Sequence, residues 1–198
     1  MRYLALGDSY TIGEGVAEVE RWPAQLVSRL RREGIAIDDA QIVATTGWTT
    51  DELSAAMDAT VFTPPYDLVS LLIGVNNQYR GRSVDEYRGE FQRLLDRAIE
   101  LAGALSERVF VLSIPDWGVT AFGQQSGRDV AQIAAELDAY NAAARDLCAI
   151  EKVAWVDITT FSRAFPNQVA SDGLHPSGEQ YGLWANEAWP AVQAALNR

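Results

Sequence analysis

The stretch Tyr3-Leu4-Ala5-Leu6-Gly7-Asp8-Ser9-Tyr10 runs through four apolar residues, reaches a glycine and then delivers two polar side chains together. A short, continuously apolar run suits a strand covered on both faces, the situation of a parallel sheet between helices. Four more runs read the same way: Gln41–Ala44, Leu68–Ile73, Val109–Ile114 and Val153–Asp157. Between them the apolar residues recur at helical spacing. Trp22-Pro23 leads into Leu26, Val27 and Leu30 and stops near Gly34, and Thr50-Asp51-Glu52-Leu53 begins a short helix. Asp85–Leu105 sets Tyr87, Phe91, Leu94, Leu95, Ile99 and Leu101 on one side, and Ala131–Cys148 and Ser177–Leu196 complete the set. Strands that alternate with helices pair in parallel through right-handed crossovers. The expectation is an α/β fold, a three-layer helix–sheet–helix sandwich around a five-stranded parallel sheet. Asp116–Arg128, with three glycines and little periodicity, reads as a loop over one end of that sheet, and Pro64-Pro65 as the turn before the third strand.

The 198 residues, 48% hydrophobic, suffice for one α/β core, and no Pro-, Gly- or Ser-rich linker or internal repeat divides them, so residues 1–198 read as one domain. A formal net charge of −11 makes nucleic acid and anionic membrane poor partners and disfavours strongly anionic substrates. No run is long enough to span a bilayer, and Asp8 interrupts the N-terminal apolar run before a cleavage site. A cytoplasmic location is the default expectation, although a chain trimmed of its leader would read identically. The single cysteine, Cys148, excludes an internal disulfide and lies in an apolar helical stretch, where packing is its expected role. One histidine cannot build a zinc cluster, and no calcium-loop spacing is present, so no metal or organic cofactor is expected.

That histidine, His175, stands in Asp172-Gly173-Leu174-His175-Pro176, three residues after an acid. A single tight loop can hold such a carboxylate against one imidazole nitrogen and leave the other facing outward. The alternative is a surface Asx-turn with a packed histidine. Pro176 suits the first turn of the final helix, with Ser177 or Ser171 as a cap. Ser9, at the carboxyl end of the first strand, is placed either as a nucleophile or as a helix cap. The glycines Gly7, Gly13 and Gly15 fit neither the phosphate-loop nor the dinucleotide spacing. Polar groups end the other strands too: Thr45-Thr46-Gly47-Trp48 after the second and Gly74-Val75-Asn76-Asn77-Gln78 after the third. The Gly47 backbone N–H and the Asn76 amide could serve an oxyanion beside Ser9, or merely a turn and a loop. Asp116, after the fourth strand, rivals Asp172 as partner of His175; Asp172 is preferred because the short loop fixes its geometry. Around these groups Asp8, Tyr10, Trp48, Asn77, Tyr79 and Trp117 are the expected substrate contacts, with Trp22 and Phe122 as further candidates for an apolar wall.

Taken in order, Gly7-Asp8-Ser9, Gly47, Asn76 in Gly74-Val75-Asn76-Asn77, and Asp172-x-x-His175 resemble the four blocks of the GDSL, or SGNH, hydrolase family, and the resemblance covers nearly the whole chain. Asn77 stands where many members carry aspartate, and Thr45-Thr46 where an asparagine commonly precedes the glycine. The resemblance implies a flavodoxin-like strand order 2-1-3-4-5. It also implies a serine hydrolase for carboxylic esters, with Ser9 as nucleophile, His175 as base, Asp172 orienting it, and an oxyanion hole from the N–H groups of Ser9 and Gly47 with the Asn76 amide. The implied partner is a small-molecule ester of short acyl chain. Carbohydrate acetylesterase, lysophospholipase or thioesterase activity, and a catalytically silent ligand-binding role, stand as alternatives. Neither stable membrane insertion nor nucleic-acid binding is expected, and the sequence sets no oligomeric state.

Overall fold

A computed structural model describes residues 1–196. Five parallel strands, β1 (Tyr3–Gly7), β2 (Gln41–Ala44), β3 (Leu68–Leu72), β4 (Val109–Leu112) and β5 (Ala154–Val156), form one sheet in the order β2-β1-β3-β4-β5. The helices are α1 (Ser9–Ile12), α2 (Trp22–Arg32), α3 (Thr50–Ala59), α4 (Val75–Tyr79), α5 (Val84–Leu101), α6 (Ala121–Gln125), α7 (Val130–Glu151), α8 (Thr159–Ala164), α9 (Gly178–Glu187) and α10 (Trp189–Leu196). α3, α5 and α7 pack side by side on one face of the sheet, and α2, α9 and α10 occupy the other. The expected sandwich and strand order are those observed.

Burial explains the apolar runs. Every residue of β1, β3 and β4 is buried, because helices cover both faces of these inner strands. The polar exception, Ser70 in β3, is hydrogen-bonded to the Tyr3 hydroxyl at 2.8 Å. The long helices carry the chemistry that starts helices. Ser83 caps α5 by accepting from the Glu86 N–H at 3.1 Å, and Asp129 caps α7 by accepting from Ala131 and Gln132. α5 buries Tyr87, Phe91, Leu94, Leu95 and Ala98, one stripe at helical spacing. Cys148 lies buried on α7, as its apolar setting predicted.

Three readings need correction. The single helix expected over Ser177–Leu196 breaks at Ala188, where Trp189-Pro190 opens α10; Pro190 has no N–H to continue the earlier helix but suits the first turn of a new one. Pro176 lies outside α9, bridged to Val169, while the Ser177 hydroxyl caps α9 by accepting from Gln180. Asp116–Arg128 is more ordered than a loop, holding a 3-10 turn at Trp117–Val119 and α6, capped by Thr120.

The chain leaves β1 toward β2 on one side and later returns to β3 on the other. β1 and β3 are paired from Tyr3↔Leu68 to Gly7↔Leu72, and β1 and β2 from Leu4↔Gln41 to Gly7↔Ala44, so all three strands end level. Such a switch point opens a crevice at the carboxyl ends of the strands. Gly7 sits at its floor with α1 turned tightly over it. A β-carbon there would strike the Thr11 hydroxyl and lie 2.5 Å from the Leu72 carbonyl oxygen. Gly7→Ala should therefore cost about 1–3 kcal/mol of stability. A lower urea midpoint at unchanged slope is the expected reading, and a wild-type midpoint would show that the junction has slack.

Candidate active site

Ser9 owes its position to the residue before it. Asp8 ends the strand and caps α1: its Oδ1 accepts from the Tyr10 N–H at 3.0 Å, and its carbonyl accepts from the Thr11 and Ile12 N–H groups. Ser9 is thereby the first residue of the helix, and its own N–H finds no partner among the described residues. The capping role weighed for Ser9 thus belongs to Asp8. The Ser9 side chain borders a cavity of about 220 Å³ at the carboxyl ends of β1, β2 and β3.

Asp172 and His175 meet as the short spacing suggested. Asp172 Oδ1 accepts from the N–H groups of Leu174 (2.9 Å) and His175 (3.0 Å), and Oδ2 lies 2.6 Å from His175 Nδ1. The loop is tied at both ends. Ala170 donates to the His175 carbonyl at 2.7 Å, Ser177 to the Gln168 carbonyl at 3.0 Å, and Phe122 to the Gly173 carbonyl at 3.0 Å. Burial pushes the Asp172 carboxyl up, but hydrogen bonds from the His175 ring and from the Leu174 and His175 N–H groups outweigh it, so the net shift is downward and the group stays ionised. With Nδ1–H donating to the ionised Asp172, the neutral imidazole keeps its lone pair on Nε2. The imidazole packs against Tyr10, with ring centroids 5.7 Å apart, and lines the same cavity as Ser9. No hydrogen bond joins Ser9 to His175 among the described residues. Asp116, the rival acid, is committed elsewhere: it is buried, pairs with Arg163 at 2.9 Å and accepts from the Gly118 N–H.

Gly47 and Asn76 border the cavity from the neighbouring strand ends. Gly47 adopts φ +90°, a conformation that favours glycine, and faces open space where a side chain would stand. Its carbonyl accepts from Arg80 at 2.7 Å, while its N–H has no partner among the described residues. Asn76 Nδ2 donates to the Trp48 carbonyl at 2.9 Å. One amide hydrogen is thus occupied in holding the β2 loop, and one remains.

Of the expected substrate contacts, Tyr10, Tyr79 and Trp117 line the cavity and Phe122 joins them. Asp8 and Asn77 do not reach it, because both side chains are fully buried. Asn77 instead ties β3 to the start of α3: its Oδ1 accepts from the Thr50 N–H at 3.1 Å and its Nδ2 donates to the Thr50 hydroxyl at 2.6 Å. The departure from aspartate at this position is therefore part of a buried joint. Trp48 offers its carbonyl rather than its ring, and Trp22 is a core residue under the sheet. Thr46, at the start of a loop expected to form the pocket, also lines the cavity, as do Val75 and Leu174, which the sequence reading did not single out. All three adjoin a motif residue, and that adjacency was the available signal. Among the described residues no group of three or more His, Cys, Asp or Glu side chains is placed to hold a metal ion, and no helix is long and apolar enough to cross a membrane.

Comparison with known proteins matches the model of the GDSL-like lipase/acylhydrolase family to residues 5–183. No curated protein matches the sequence significantly. Similar solved structures include that of TesA, at 19% identity over 98% of this chain and 99% of that one, with a TM-score of 0.76. A psychrotrophic esterase, EstA, from Pseudoalteromonas sp., crystallised inhibited by monoethylphosphonate, aligns at 16% identity over 100% of this chain and 99% of its own, with a TM-score of 0.74. Axe2, an acetylxylan esterase from Geobacillus stearothermophilus, aligns at 19% over 96% and 93%, with a TM-score of 0.75. At these identities the likeness establishes the fold.

Asp8 carries an electrostatic cost. Its carboxyl is fully buried and Oδ2 has no hydrogen-bond partner. Burial raises its pKa to about 7, against the smaller opposing effect of backbone N–H groups including that of Tyr10. A carboxyl that holds its proton longer in the folded chain than in the unfolded one favours folding below the unfolded value near 4, and that contribution is lost as pH rises through about 7. The isosteric Asp8→Asn variant has no such dependence. The stability difference between wild type and Asp8→Asn should therefore shift against wild type between pH 4 and 7, by at most about 4 kcal/mol. Chemical denaturation at stepped pH measures it, and a difference constant with pH would place the Asp8 carboxylate in a better-solvated setting.

Proposed function

The chain belongs to the GDSL-like lipase/acylhydrolase family, and from that premise we propose that it hydrolyses carboxylic esters of small, short-acyl substrates through Ser9, His175 and Asp172. The observation that carries the reading is the 2.6 Å contact between Asp172 and His175 at the edge of the cavity that Ser9 also lines. A serine hydroxyl is a weak nucleophile without an adjacent base. In this mechanism the Ser9 oxygen attacks the ester carbonyl as His175 Nε2 takes its proton, and Asp172 stabilises the imidazolium that results. The tetrahedral oxyanion is met by the N–H groups of Ser9 and Gly47, both without partners among the described residues, and by the second amide hydrogen of Asn76. Collapse expels the alcohol, which receives the proton from His175. Water then attacks the acyl-enzyme with His175 again as base. Hydrogen bonds between nucleophile and base are often open in the free enzyme and tighten around substrate. The absence of a Ser9–His175 hydrogen bond among the described residues fits that behaviour.

Two features support a small neutral substrate. The cavity is about 220 Å³ and walled by Tyr10, Val75, Tyr79, Trp117, Phe122 and Leu174, which suits a short apolar group. The cations beside it are engaged: Arg80 with Glu52 at 3.1 Å and with the Gly47 carbonyl, and Arg128 with Glu136 at 3.5 Å. An acidic side chain, Glu14, accepts from Thr46 at the rim. This environment disfavours phosphate-bearing esters such as lysophospholipid or acyl-coenzyme thioesters.

Ser9→Ala and His175→Ala should each lower kcat for p-nitrophenyl acetate by about 10⁴-fold or more, with folding retained. A fluorophosphonate should label wild type at Ser9 and leave Ser9→Ala unlabelled. Wild-type turnover in either variant, or no labelling at all, would overturn the assignment and favour a silent ligand-binding role. Asn76→Ala should cost about 3 kcal/mol in kcat/KM if its amide meets the oxyanion; an unchanged kcat/KM would remove it from the mechanism.

A further inference from the structure

Trp117 is held from behind. Its indole Nε1 donates to Gln78 Oε1 at 2.9 Å, and Gln78 Nε2 donates to Glu136 Oε2 at 2.6 Å. Glu136 is fixed in turn by Gln132, whose Nε2 donates to Oε1 at 2.7 Å, and by Arg128. The Arg128 guanidinium also lies 5.3 Å from the Trp117 ring centre and 5.6 Å from that of Tyr79. The result is a ring clamped at its N–H and on a face, at the wall of the candidate active site.

Gln78 is almost fully buried yet borders a second space. A cleft of about 490 Å³, larger than the catalytic cavity, opens between the start of α5 and α7, and Gln78 and Glu136 both line it. Trp117 lines the catalytic cavity and Gln78 lines the cleft, so the hydrogen-bonded pair stands between the two. Because both polar ends of Gln78 are satisfied, its side chain has one arrangement that leaves no buried group unpaired. We propose that Gln78 is a positioning residue that limits the chain length the enzyme accepts, by pinning Trp117 as the end wall between the catalytic cavity and the cleft behind it. This rests on the ester-hydrolase reading of the same site.

The test is a series of p-nitrophenyl esters from acetate to octanoate. Wild type should favour the short members. Gln78→Ala removes the wall's support and its bulk; its ratio of kcat/KM for hexanoate over acetate should rise about tenfold or more, mostly through KM, with kcat on acetate within about threefold. Gln78→Met keeps the bulk without the hydrogen bonds and should shift the ratio in the same direction by less. Glu136→Gln retains an acceptor for Gln78 and should keep the wild-type ratio. The Trp117 indole N–H resonance, assigned by its loss in Trp117→Phe, should move in both Gln78 variants and hold in Glu136→Gln. If Gln78→Ala does not fold, Gln78→Met decides. An unchanged ratio in every folded Gln78 variant overturns the inference while leaving the hydrolase reading intact. Failure of wild type to cleave any ester overturns that reading and the inference with it.

Discussion

Level strand ends at the place where the chain reverses its course across the sheet constrain everything else in this molecule. β1 lies between β2 and β3, and all three stop in register, so whatever follows them must emerge at one edge. The residues after β1 are Asp8 and Ser9, those after β2 lead to Gly47, and those after β3 lead to Asn76. Hydrophobic burial aligns the strands, since β1 and β3 have no exposed residue. The polar site is thus a consequence of where the apolar runs end.

The short helix α4 shows how much such an edge can hold. Asn76, Asn77, Gln78 and Tyr79 are consecutive, and each step along a helix turns the side chain by about 100°. Asn76 therefore faces the cavity and the β2 loop, Asn77 the start of α3, Gln78 the α7 side, and Tyr79 the aromatic wall. Four neighbouring side chains tie four parts of the molecule together. At the C-terminal end of this helix Arg80 turns back to the Gly47 carbonyl and Glu52, which closes the ring of contacts around the cavity.

The two aspartates of the site illustrate opposite uses of burial. Asp172 sits in a loop where three hydrogen bonds offset its desolvation, so its charge persists beside the imidazole. Asp8 is enclosed at the strand–helix junction with one oxygen unpartnered, so its charge is opposed by its surroundings. The first arrangement favours an imidazole that can accept a proton. The second concedes stability at the point where Ser9 is set in place, and such concessions cluster at functional sites.

Local pattern in the sequence was enough for the strands and the Asp172–His175 contact, because each depends on residues near one another in the chain, a run of apolar side chains or an acid and a base three positions apart, and the alternation of strands with helices along the chain implied their parallel pairing. The break at Ala188 escaped a reading of periodicity, which carries smoothly across Trp189-Pro190 while the backbone does not. Other side-chain destinations were only partly legible: Tyr10, Tyr79 and Trp117 reach the cavity as expected, while others do not. Asp8 and Asn77 look as available as Ser9 and Asn76, and only the packing of α1 over Gly7 and of α4 against α3 buries them. The commitment of Asp116 to Arg163, the clamp on Trp117 and the cavity itself join segments dozens of residues apart. The chain alone determined which chemical groups stand at the strand ends. The tertiary structure decided which of them face one another, because burial and hydrogen-bond pairing are settled by neighbours in space.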